Sequence, residues 1–148
     1  MQRSVSPSRT TLTAAAAIAA SNLVVLGIGV LLGADMRVAQ SAGAAVTEVG
    51  IGPVLLMSLV PTLLGGLVLW LAARRSIRAW HAVGWLGLAL GLLTLPMPFT
   101  VVASAGTTVT LATMHVVAGV VWFTAVRRTA AASNRPVSSA RSDLRITG

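Results

Sequence analysis

The sequence predicts an all-α integral membrane protein: a four-helix bundle with both termini in the cytoplasm. Three observations predict it. Hydrophobic residues make up 55% of the 148-residue chain and charged residues only 9%, whereas about a quarter of an aqueous domain is charged. The apolar residues fall in four long runs separated by short polar or proline-containing stretches. Every basic residue is an arginine, and all but Arg37 fall on one side of a four-span arrangement.

The elements follow in order. Residues 1–11 are a short cytoplasmic segment carrying Arg3 and Arg9. The first span, Leu12 to Leu32, holds no charge and is long enough to cross about 30 Å of hydrocarbon. A signal peptide cleaved near Ala39-Gln40-Ser41 is the rival reading. Its apolar stretch would run to only about 7–15 residues, so the span reads as a retained anchor. The second span, Ile51 to Ala73, has Pro53 in its first turn, where proline is tolerated. Pro61 stands midway, followed by Gly65-Gly66, and predicts a kink because it removes a backbone hydrogen bond. The third, Ala79 to Leu95, is stopped by Pro96 and Pro98. The fourth, Thr107 to Val126, is stopped by Arg127-Arg128. In lipid each backbone must satisfy its own polar groups, so these runs are helices. The transmembrane domain is therefore 12–126. Residues 127–148, rich in Ser, Arg and Ala and without apolar periodicity, are expected to be a disordered basic tail.

Orientation follows from the arginines. The N-terminal segment, the connection with Arg74, Arg75 and Arg78, and the tail starting at Arg127 and Arg128 share one side. The positive-inside rule places that side in the cytoplasm of a multi-pass inner-membrane protein. Trp70, Trp80, Trp85 and Trp122 fall in the cytoplasmic halves of their spans, as an interfacial aromatic belt would. The expected partners are the lipid bilayer, anionic head groups met by the cytoplasmic arginines, and a membrane partner protein or a second copy. Nucleic acid is not expected, because the arginines flank apolar runs and do not line one face.

Several chemistries are excluded. The chain has no cysteine, which removes disulfides, thiolate catalysis, iron–sulfur clusters and CxxC redox chemistry. No acidic residue lies in a span, which argues against small multidrug exporters that use a membrane carboxylate. Asp35 and Glu48 in the first outer loop are too few for a metal site, and no cofactor is expected. His81 lies roughly 13 Å shallower than His115 at 1.5 Å per residue, so the two cannot be axial ligands of one haem.

Small residues that let helices approach recur at 4,3 spacing in each span. They are Ala15, Ala19, Asn22, Leu26, Gly29 and Gly33 in the first. In the second they are Ser58, Thr62, Gly65 and Leu69, with Gly66 beside them. In the third they are Gly84, Gly87, Gly91 and Thr94; in the fourth, Thr108, Ala112, His115, Gly119 and Trp122. Gly29-x3-Gly33 and Gly87-x3-Gly91 match GxxxG, read as packing within one bundle or, alternatively, as a dimer face. Asn22 and His115 are the strongly polar residues deep in the spans, at matching depth. They form a candidate polar pair, within hydrogen-bonding reach directly or through one water: either a structural hydrogen bond or a proton or ligand site.

Three groups of residues resemble a known family. They are Gly33-Ala34-Asp35-Met36-Arg37-Val38, the run ending Leu69-Trp70-Leu71-Ala72-Ala73-Arg74, and Leu93-Thr94-Leu95-Pro96 followed by Ala103 to Thr108 and Leu111 to Ala118 with its Met114-His115 pair. Together they look like the small four-span actinobacterial membrane proteins that carry the domain of unknown function 6069. The resemblance covers roughly residues 11–128 and implies a four-helix membrane domain without implying an activity. The function expected from the residues is that of a non-enzymatic accessory or partner-binding subunit. The alternatives are a small transporter or channel component using Asn22 and His115, and a holin-like pore-forming assembly.

Overall fold

The computed structural model describes residues 6–133. Four helices carry the chain: α1 Pro7–Leu31, α2 Ile51–Ala73, α3 Ile77–Leu93 and α4 Ala105–Ser133. Between them lie three short strands, β1 Arg37–Ala39, β2 Thr47–Glu48 and β3 Val102–Ala103, and a 3-10 turn at Met97–Phe99. The fold is the expected all-α bundle, and all four helical segments are long and apolar enough to cross a membrane. Their outward faces are covered by leucine and valine, with Leu64, Leu67 and Leu90 each more than half exposed, as lipid-facing positions would be.

The helices overrun the expected spans. α1 starts at Pro7, a residue suited to a first helical turn. The expected tail begins later than Arg127, because α4 continues through the helix-forming Ala130–Ala132 stretch to Ser133. Thr10 of α1 donates to Thr129 of α4 at 3.1 Å, tying the two helices together at that end. Residues 134–148, with Arg135, Arg141 and Arg145, lie outside the described residues, as does Arg3. α3 starts where Ser76 caps it, its hydroxyl accepting from the Ala79 N–H at 3.1 Å. α2 runs on as one helix past Pro61.

α1 packs between α2 and α4, and α3 packs chiefly on α4. The start of α1, the end of α4 and the arginine-bearing α2–α3 connection therefore share one end of the bundle. The core there is Ala14, Ile18, Leu69, Ala72, Trp80, Val83, Trp122, Val126 and Ala130. A second cluster, Leu26, Ala34, Met36, Val54 and Met114, fills the other end.

The faces read at 4,3 spacing are the packed ones. Asn22, Leu26 and Gly29 of α1 and Ser58, Thr62, Gly66 and Leu69 of α2 are buried; Gly33 is the exception, exposed beyond the helix end. Glycines sit where helices nearly touch. A Cβ on Gly91 would stand 2.8 Å from the His115 carbonyl oxygen and 2.9 Å from the Gly119 Cα. One on Gly87 would overlap the Trp122 indole, and one on Gly29 would overlap Thr110. The two GxxxG matches are thus engaged inside the chain through Gly29, Gly87 and Gly91.

Only part of the aromatic belt forms. Trp70 and Trp85 are 41% and 55% exposed, whereas Trp80 and Trp122 are 1% and 5% exposed. The buried pair joins α3 to α4. Trp80 Nε1–H donates to the Val126 carbonyl and Trp122 Nε1–H to the Val83 carbonyl, both at 3.1 Å. A buried indole needs an acceptor for its N–H, and facing small residues leave the neighbouring backbone within reach.

Candidate functional site

Polar side chains gather at three levels of the bundle. The middle level holds the residues expected to pair. Asn22 is 5% exposed and its Nδ2 donates to Ser58 Oγ of α2 at 2.9 Å. Thr62, one turn on, donates to the Ser58 carbonyl at 2.6 Å. His115 is half-buried, and its Nδ1 lies 2.8 Å from the Leu111 carbonyl of its own helix. A carbonyl only accepts, so Nδ1 carries a proton. α1 and α4 do touch, but Asn22 and His115 form no direct hydrogen bond. Each has another partner, Ser58 for Asn22 and the Leu111 carbonyl for His115. Asn22 Oδ1 is buried without any partner.

The second level is a cap at the end away from the arginine-rich connection. β1 pairs antiparallel with β2, Arg37 opposite Glu48 and Val38 opposite Thr47. Its other edge pairs antiparallel with β3, Val38 opposite Ala103 and Ala39 opposite Val102. The α1–α2 and α3–α4 connections are thus one small sheet, ordered β2-β1-β3. Asp35 pins it: one carboxylate oxygen accepts from Thr107 Oγ1 at 2.7 Å and from Ser104 Oγ at 2.8 Å. Thr107 is fully buried, and its hydroxyl oxygen also accepts from the Met36 N–H at 3.0 Å. That bond holds Met36 at φ 51°, in the left-handed region. The Thr107 and Ser104 hydroxyls together hold the Asp35 carboxyl below the usual carboxylate range. An open concavity of about 550 Å³ lies over the sheet, with Arg37, Val46, Glu48 and Val102 among its lining residues.

The sequence shows the parts of this cap but not their meeting. Ser104 is legible as a helix cap, because its hydroxyl accepts from the Thr107 N–H at 3.4 Å. Its bond to Asp35 spans 69 positions. Among the described residues, no three histidine, cysteine or acidic side chains are grouped so as to hold a metal.

The third level is the arginine-rich end. Arg74, Arg75, Arg78, Arg127 and Arg128 are all exposed there. Arg74 lies over the Trp70 ring, 3.6 Å from its centroid, and Arg127 over Phe123 at 5.6 Å. His81 is close by, its Nδ1 buried without a partner.

The chain belongs to a family of unknown function, DUF6069, whose model matches residues 2–132. No curated protein and no solved structure matches it. Two segments that resembled this family in the sequence, Gly33–Val38 and Ala103–Thr108, are the ones that Asp35 clamps together.

Proposed function

We propose that the protein is a non-enzymatic accessory subunit of the cytoplasmic membrane that presents its cap to a partner protein. The observation that carries this reading is the pinned cap. Two outer loops that could have been slack connections are instead zipped into a sheet and bolted to α4 through Asp35, Ser104 and Thr107. A surface held in one shape, with Arg37 and Glu48 side by side and Val46 and Val102 more than half exposed, suits recognition by a second protein or another copy.

The arginine distribution supports placing both termini and the α2–α3 connection on the cytoplasmic side, with the cap outside. Arg74, Arg75, Arg78, Arg127 and Arg128 then face anionic head groups, at about 1 kcal/mol each when close to the surface. The test is a photo-crosslinking residue at Val102 followed by capture from native membranes in mild detergent. A discrete adduct that Thr107→Val removes supports the reading. A chain that stays monomeric and forms no adduct contradicts it.

A second reading rests on the unpartnered Asn22 Oδ1. A buried acceptor without a donor is costly, and intramembrane polar groups often mark a transport path. In this reading Asn22, with His115 at similar depth, forms the polar site of a small transporter or channel. Flux in liposomes that both Asn22→Leu and His115→Ala abolish would favour it over the accessory role.

A further inference from the structure

α1 and α2 pack closely at Gly66, where an added Cβ would overlap Thr11. That close approach floors an open groove of about 300 Å³ at the arginine-rich end. Pro7, Ser8, Thr11 and Leu12 form one wall; Leu63 and Trp70 form the other. The wall from Leu63 to Trp70 spans seven residues of helix, roughly 10 Å at 1.5 Å per residue.

The groove is apolar along its length and cationic at its mouth. The Thr11 hydroxyl is turned into its own helix, donating to the Pro7 carbonyl at 2.8 Å. Leu12 is 63% and Leu63 50% exposed, so the walls open sideways where the bilayer would lie. Arg74 stacks on the Trp70 ring at 3.6 Å, holding a guanidinium over the groove wall. Arg9, also exposed, lies in the first turns of α1 at the same end. No carboxylate of the described residues lies at this end: Asp35 and Glu48 both belong to the cap. The mouth therefore presents positive charge that no described residue balances, beside a slot shaped for hydrocarbon.

We infer that this groove is a binding site for one anionic phospholipid, its acyl chain between Leu12 and Leu63 and its phosphate on Arg74. A guanidinium held flat by an aromatic ring keeps its fork of donors free for a phosphate. A zwitterionic head group would bring its own cation against Arg74. The site rests on the reading of the chain as a membrane protein but not on its orientation, so the test is made without a vectorial membrane.

The full chain in mild detergent is titrated with phosphatidylglycerol or phosphatidylcholine, and bound lipid is counted by native mass spectrometry. One phosphatidylglycerol per chain should be retained in preference to phosphatidylcholine. Arg74→Gln should weaken it about tenfold, or about 1.4 kcal/mol. Leu63→Trp, which fills the slot and leaves every arginine in place, should also displace it. Melting by circular dichroism should show both variants folded. Equal retention of the two lipids would overturn the site, as would Leu63→Trp binding phosphatidylglycerol like the parent, because diffuse charge would then be sufficient.

Discussion

Replacing Gly91 with alanine tests the packing of α3 on α4 at the point where the two backbones are nearest. The added methyl would stand 2.8 Å from the His115 carbonyl oxygen and 2.9 Å from the Gly119 Cα. Ordinary contacts between non-bonded heavy atoms are about 3.5–4.0 Å. Both obstructing atoms are backbone, so no side chain can swing aside, and the helices must part by roughly half an ångström or more. Overpacking of this kind costs about 1–3 kcal/mol. Against it stands the better helix propensity of alanine, up to about 1 kcal/mol. The net expectation is a loss of about 1–2 kcal/mol. Gly27 supplies the control, because a Cβ there meets nothing within 4 Å; Gly27→Ala should be neutral or slightly stabilising. Reversible unfolding of the two variants in mixed micelles measures the difference. Equal stability of Gly91→Ala and Gly27→Ala would refute the close approach of α3 and α4.

Three further outcomes are expected. Ser58→Ala leaves the Asn22 amide without a partner and should lower stability by about 1–3 kcal/mol, read in the same unfolding assay; Thr113→Ala, on an exposed hydroxyl bonded within its own helix, should cost less. Thr107→Val keeps the shape but strips the Met36 N–H of its acceptor, which should cost about 1–3 kcal/mol and speed hydrogen exchange at Met36. Asp35 gives the cap an acid limit. The Thr107 and Ser104 hydroxyls hold its folded pKa below the ordinary carboxylate range, so its contribution is fully present above that range and is lost as pH falls through the lower folded value. Exchange protection of the cap should hold at mildly acidic pH, collapse only below about 4, and lose this dependence in Asp35→Asn.

The bundle was legible because lipid imposes a simple rule: apolar runs span, and small residues mark where spans meet. That rule placed Asn22, Ser58, Gly66, Gly91 and Gly119 on packed faces. It could not choose partners. Depth along a helix is readable from sequence, but the angle around the bundle is not, so Asn22 and His115 could be matched in depth while the bond from Asn22 to Ser58 could not be read. The tryptophans misled for a related reason. Gly65 and Gly87 open a seat that Trp122 fills, and an indole seated between helices has the same sequence depth as one facing lipid. The cap was not legible because its strands are two or three residues long and β1 pairs with β3 across more than sixty positions. No alternation can be read in so few residues.

The central claim is an integral bundle with its arginine-rich end in the cytoplasm and its cap outside. The chain contains no cysteine, so single cysteines can be placed without background. Ser41 lies in the loop between β1 and β2, Ser76 in the α2–α3 connection, and Ser4 and Ser138 near the termini. In intact cells a membrane-impermeant thiol reagent should label the cysteine at position 41 and spare those at 4, 76 and 138, which should react only after the membrane is opened. Labelling at position 76 or 138 from outside, with position 41 protected, would contradict the orientation; labelling of all four in intact cells would contradict the membrane-spanning bundle itself.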